Sequence, residues 1–197
     1  MMRSILISIK PEWVAEILNQ RKTIEVRKTA PKCELPIDVY IYCTKGQEEL
    51  YEAFMPMGGK APYQSKPKGY GLTGGMLKQG KHLNGKIVAK FTLKAVHKFD
   101  WRLVANPFFK VRGSCLGYDQ LRKYATDKKG IVHDLYGWCI SDLEIFDEPK
   151  ELSEFYSLRL DKDVTKLFDN SIQLSNGKWV KRLSRPPESY CFVEVEE

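Results

Sequence analysis

The chain has 197 residues, 43% of them hydrophobic, and 32 Lys and Arg against 25 Asp and Glu give it a net charge of +7. That composition suits one globular domain with a sizeable core and excludes collagen-like, disordered and disulfide-rich classes. No apolar run approaches the roughly 18 residues of a spanning helix and the first residues lack a signal-peptide pattern, so the expectation is a cytoplasmic protein with no membrane partner.

In chain order the pattern opens as strand, helix, strand. Ile5, Ile7 and Ile9 alternate with Leu6 and Ser8 in a short, nearly all-apolar strand. Pro11 suits a first helical position, where its missing N–H costs nothing, and Val14, Ile17 and Leu18 follow at helical spacing up to Asn19-Gln20-Arg21. Thr23 to Arg27 alternates with period two: Ile24 and Val26 form a core face, and Thr23, Glu25 and Arg27 a polar one. Ile37 to Thr44 is a strong strand, with Val39, Ile41 and Cys43 alternating against Tyr40, Tyr42 and Thr44.

Gly58 to Gly85 holds eight of the 14 glycines and no periodicity, and reads as a long loop or loosely ordered part of a basic insertion at about 45–85. Lys86 to His97 is a long strand whose Lys90, Thr92 and Lys94 side faces solvent or a ligand. Asp100 to Val111 is irregular and aromatic-rich. Tyr118 to Tyr124 reads as a short helix with Leu121 and Tyr124 inward, and Tyr136 to Phe146 as a strand ended by an Asp147-Glu148-Pro149 turn. Leu152 and Phe155 suit a short amphipathic helix, and Tyr190 to Val195 a last strand. Strands outnumber helices and no linker divides the chain, so the expected architecture is a single α+β domain over 1–197. It is built round a small, mostly antiparallel β-barrel with flanking short helices.

The charge is unevenly spread. Residues 1–52 carry eight basic and eight acidic side chains, whereas the 47 residues between Glu52 and Asp100 carry nine lysines and no acid. This is the pattern of a surface that meets phosphates, or of a lysine-rich solvated loop, and charge alone weights the two equally. Five cysteines without a C-x-x-C pair, and three histidines without ligand spacing, read as reduced thiols and no metal site. A literal G-x-G-x-x-G at Gly69 to Gly74 follows Lys66-Pro67-Lys68, has no helical pattern after it, and is loop glycine.

Lys22-Thr23-Ile24-Glu25-Val26-Arg27 is more specific, with an amine, a carboxylate and a guanidinium at a helix-to-strand junction. Glu25 and Arg27 share a strand face, where the carboxylate would fix the guanidinium and leave donors for a phosphate or a base edge. Lys22, near a helix end and other cations, suits a phosphate contact or an amine of lowered pKa. On spacing alone the favoured reading is an exposed Glu–Arg pair contributing at most about 1 kcal/mol.

The segment resembles the G-x-K-x-x-E-x-R signature of the ASCH domain family of PUA-like small barrels, with Gln20 in place of the family glycine. The order of elements agrees, and Asn84 to Ala89, Trp138 to Leu143 and Arg185-Pro186-Pro187 resemble segments of bacterial and phage members. One enzymatic branch, an amidohydrolase acting on acetylated cytidine, has a threonine nucleophile at the position the resemblance gives to Glu25, so its mechanism does not carry over as it stands. The resemblance implies a cleft with Lys22, Thr23, Glu25 and Arg27 on one wall. Trp138 and Tyr190 are the candidates to stack on a base, with plain core packing weighted equally for Trp138, and Tyr42 and Trp13 are weaker candidates. A basic surface of Lys66, Lys68, Lys86, Lys90 and Lys94 would lead to it. The expected activity is binding of RNA, a single strand or a nucleotide-like small ligand, without cofactor or metal. The alternative is a hydrolase acting on RNA, a nucleotide or a modified nucleoside, with Lys22 and Glu25 catalytic.

Overall fold

A computed structural model describes residues 3–55, 60–70, 78–99, 112–157, 171–173 and 179–195. For 60, 78–79, 99, 171–173 and 179 only the backbone is described. The Asp100 to Val111 stretch and most of the G-x-G-x-x-G loop lie outside these residues. The strands are β1 (Arg3–Ile9), β2 (Ile24–Arg27), β3 (Ile37–Cys43), β4 (Glu48–Phe54), β5 (Lys60–Pro67), β6 (Lys78–His82), β7 (Ile87–Phe99), β8 (Leu135–Lys150), β9 (Phe155–Ser157), β10 (Ser171–Gln173), β11 (Trp179–Arg182) and β12 (Tyr190–Val195); the helices are α1 (Pro11–Leu18) and α2 (Tyr118–Ala125). No helix among the described residues is long and apolar enough to cross a membrane.

Nine strands form one sheet in the order β10-β11-β9-β12-β1-β3-β7-β8-β2, and β5-β4-β6 form a second. The α+β, mostly antiparallel class is as expected; β1 with β3 is a parallel pair, and the pairing ends at β2 and β10 without closing into a ring. The middle of β1 is apolar on successive residues, Ile5, Leu6 and Ile7, because both its faces are covered. Ile5, Ile7 and Ile9 pack with Val39, Ile41, Phe91, Leu93 and the Val14, Ile17 and Leu18 stripe of α1. On the other face Leu6 packs with Tyr42, Ile87, Phe155 and Val193. An eight-residue helix has little stability of its own, so this burial is what holds α1.

Three local readings change. The described residues of the glycine- and lysine-rich segment are largely strand and not loop: β5 and β6 flank β4 in an antiparallel sheet. Its ends meet at the main sheet, where Gly85 N–H donates to Cys43 O (2.7 Å) and Cys43 N–H to Lys86 O (2.9 Å). Two asparagines act as backbone surrogates. Asn84 takes Leu50 N–H (2.7 Å) and donates to Thr44 O and Glu48 O, while Asn19 exchanges two 2.9 Å bonds with the backbone of Tyr63 on β5. Asp147-Glu148-Pro149 does not end its strand either. Between the Ala89–Ile145 and Ile87–Lys150 pairs β7 advances two residues while β8 advances five, so the excess is absorbed as a bulge around a proline that has no N–H for the ladder. Leu152 to Glu154 is a single 3-10 turn, and Phe155 begins β9.

Candidate functional site

β2 lies at one end of the main sheet, antiparallel to β8, with Glu25 opposite Trp138 and Arg27 opposite Tyr136. Val26, on its other face, packs with Leu121 and Ala125 of α2 and with Leu135. Both faces are therefore covered, and the polar one is not solvated: Lys22, Glu25 and Arg27 are only 2%, 7% and 7% exposed. Glu25 sits between the two cations, Oε2 3.4 Å from Lys22 Nζ and Oε1 3.0 Å from Arg27 Nε.

Backbone carbonyls hold the rest. Lys22 Nζ donates to Ser114 O at 2.7 Å and lies 5.5 Å from the centre of the Trp13 ring, within cation–π range. The turn that supplies Ser114 is docked on β2 by Gly113 O, which accepts from both Thr23 N–H and Ile24 N–H. Gly113 has φ of +83°, and a Cβ there would stand 2.3 Å from Thr23 Oγ1, so no other residue fits without strain. Arg27 Nη2 donates to Ser8 O at 2.7 Å, and Nη1 reaches Ser189 Oγ only at 3.4 Å. Nε is buried, and despite its closeness to Glu25 it makes no hydrogen bond. Burial pushes the Lys22 pKa down, opposed by the Glu25 carboxylate.

The aromatic candidates divide. Trp138 has no exposed surface; its indole N–H donates to Thr29 O at 3.2 Å and its ring meets Tyr190 edge-on at 5.3 Å. It is a core residue with no open face for a base. Tyr190 is half-buried and donates its hydroxyl to Ala30 O at 3.4 Å, which places it beside the 28–30 turn that follows Arg27. Tyr42 is buried with Leu6 and Phe155 on the other face of the sheet. Thr23 is exposed against Gly113 and apart from the charges. In α2 the inward pair is Leu121 and Ala125; Tyr124, one position off that stripe, is 37% exposed, with Lys28 Nζ 5.1 Å from its ring centre.

By sequence the chain matches no family model and no curated protein. By structure it resembles the ASCH protein of Zymomonas mobilis, at a TM-score of 0.53 and 15% identity over 97% of this chain and 87% of that one. Two variants of that protein, one with a tyrosine changed to phenylalanine and one with a serine changed to alanine, give the same TM-score and identity over 90% and 88% of their chains. The chain has the fold of an ASCH domain.

In this ASCH fold the lysines of β7 and Lys86 before it each face a carboxylate. Lys90 pairs with Glu144 (3.1 Å), Lys94 with Asp142 (2.7 Å), Lys98 with Asp134 (2.8 Å) and Lys86 with Glu151. The partners all come from β8 and its flanks, so the part of the charge excess that β7 and Lys86 carry is balanced across the β7–β8 ribbon. Lys90 also stands opposite Tyr40, on the face turned away from the Phe91 and Leu93 side that packs with Trp138. Lys66 lines a groove of about 370 Å³ between α1 and β4–β5 with Glu12, Glu16, Glu48 and Arg21, and Lys68 is exposed in the turn after β5. None of the three motif charges lines that groove. The residues that sequence missed, Ser8, Ser114 and Ser189, act through two carbonyls and one hydroxyl, and a carbonyl leaves no trace in residue type.

Proposed function

We propose that this protein binds RNA or another unpaired nucleic-acid strand at the mouth where Arg27 meets Ser189. The observation that carries the reading is the buried triad. Taking ions out of water costs several kcal/mol each, and apolar residues of similar volume are often as stable, so burying three charges within six residues is poor design for stability alone. Arg27 Nη1 is also held only loosely, 3.4 Å from Ser189 Oγ, which leaves a charged donor for a ligand oxygen. The ASCH fold of the structural neighbours supports the same reading, and five free cysteines fit a reducing compartment. Arg27→Lys keeps the charge and loses the planar fork. Fluorescence anisotropy with labelled single-stranded RNA at low salt is expected to show binding that this variant weakens by about tenfold, as for a lost charged hydrogen bond. No association of the native protein refutes the reading.

A second reading, hydrolysis of RNA or a modified nucleoside, is favoured by one observation: a desolvated amine of lowered pKa 3.4 Å from a carboxylate. Glu25 would take a proton from the attacking water and Lys22 would stabilise developing negative charge. Glu25→Gln and Lys22→Ala separate the two readings, because an enzyme loses turnover by orders of magnitude while a binder keeps part of its affinity. Product analysis by mass spectrometry that finds no turnover by the native protein removes this reading.

A further inference from the structure

The surroundings of Arg27 are fixed by hydrogen bonds. Ser8 accepts Arg27 Nη2 on its carbonyl, donates its N–H to Ser189 O (3.1 Å) and donates its hydroxyl to Pro187 O (2.7 Å). The end of β1 and the segment before β12 thus meet at the Arg27 guanidinium, the turn after β2 follows Arg27 directly, and each of the three carries an exposed cation. Lys10 is two residues beyond Ser8, Lys28 is next to Arg27, and Arg185 is two residues before Pro187. None of these three has a carboxylate within ion-pair distance among the described residues, although Lys28 lies over the Tyr124 ring and Lys10 interacts electrostatically with Glu12, whereas Lys86, Lys90 and Lys94 each meet a carboxylate directly. Glu188 is the acid of the 185–190 segment. Ser189 is exposed, and its Oγ stands 3.4 Å from Nη1, too far for a strong bond but suited to an oxygen that accepts from both groups.

We infer that this rim, and not the lysine stripe of β7, is the phosphate-contacting surface of the protein. One phosphodiester oxygen accepts from Arg27 Nη1 and Ser189 Oγ, and neighbouring phosphates meet Lys10, Lys28 and Arg185. The inference rests on the binding reading above and assigns the ligand's charged group to named atoms. Arg27 supplies a pre-placed, buried donor whose desolvation is already paid by the fold, and Ser189 supplies a hydroxyl at the surface.

The test is a salt series in fluorescence anisotropy with a short labelled single-stranded RNA. Removing one cation that neutralises a phosphate of a single strand flattens the slope of log K against log salt by about 0.7, so Lys28→Ala/Arg185→Ala is expected to flatten it by about 1.4. Lys90→Ala/Lys94→Ala is expected to leave it unchanged. Ser189→Ala should weaken binding roughly fivefold, the effect of one ordinary hydrogen bond, and Ser189→Thr, which keeps the hydroxyl, should restore it. If the Lys90/Lys94 variant flattens the slope and the Lys28/Arg185 variant does not, the inference is overturned while the binding reading stands. If the native protein does not associate with RNA at low salt, the binding reading itself falls and this inference with it.

Discussion

Replacing Glu25 by alanine leaves two buried cations facing each other without the carboxylate that stands 3.4 and 3.0 Å from them. The side chains of Lys22, Glu25 and Arg27 are 1%, 9% and 8% exposed, so water cannot take over the screening. Removing one partner of a buried pair costs about 3–5 kcal/mol, against at most about 1 kcal/mol for an exposed pair. In a chain of this length about 1 kcal/mol corresponds to roughly 2–4 °C, so the midpoint should fall by roughly 6–20 °C. Urea unfolding followed by tryptophan emission suits the measurement because Trp138 is fully buried, and an unchanged m-value would show that the native state keeps its compactness. The triple variant Lys22→Met/Glu25→Leu/Arg27→Met should recover a large part of the loss, since it removes the uncompensated charges as well as the pair. A cost below about 1 kcal/mol for Glu25→Ala would mean that the charges are hydrated, and the argument from burial would be refuted.

Burial holds the Lys22 pKa below the ordinary value of 10.5. Between the two values the unfolded chain binds a proton that the native state does not, so stability rises with pH across that window. Lys22→Met should remove the rise, and an unchanged pH profile of urea midpoints would contradict the assignment. Burial pushes the Cys43 thiol up to about 12 and leaves it no exposed surface. Iodoacetamide at about pH 8 should therefore modify Cys43 only after unfolding, whereas half-buried Cys115 reacts in the native protein, as peptide mapping would show. Gly113→Ala meets both a φ of +83° and Thr23 Oγ1, and should cost about 1–3 kcal/mol in thermal melts. Thr23→Ala in the same background should return the steric part and not the backbone part; full recovery would show that the backbone conformation carries no strain.

The strands were legible where apolar alternation and β-branched residues coincide, as in β1, β3 and β12. β5, reading Lys-Ala-Pro-Tyr-Gln-Ser-Lys-Pro, carries no such signal and exists through its pairing with β4. Local pattern therefore mistook it for loop. The polar face of β2 was misread for a related reason: alternation separates two faces but does not say what covers each, and here the main core lies under the charged one. Lys90 and Glu144 are far apart in the chain and adjacent in the ribbon, so dividing charge by segment measured composition and not a surface. For Trp138 residue type left base stacking and core packing equally open, and its full burial in the main core decides for packing. The motif residues were singled out by resemblance, since spacing alone favoured an exposed pair, and resemblance does not depend on burial.

The excursion from Thr44 to Gly85 leaves and rejoins the main sheet at hydrogen-bonded neighbours, which makes it look excisable. Leu50 and Leu83, however, belong to the same core cluster as Ile7, Leu18 and Val88. A shortened chain closed across Cys43 and Lys86 would lose both leucines, each worth about 2–5 kcal/mol when truncated in a core, which rivals the whole stability of an ordinary domain. It would also strip α1 of its outer cover, and α1 carries Trp13 and leads into Lys22. A stretch poor in large aliphatic residues thus supplies, through Leu50 and Leu83, part of the wall of the core, and any engineered deletion there should be judged first by whether the charged motif still has a dry place to sit.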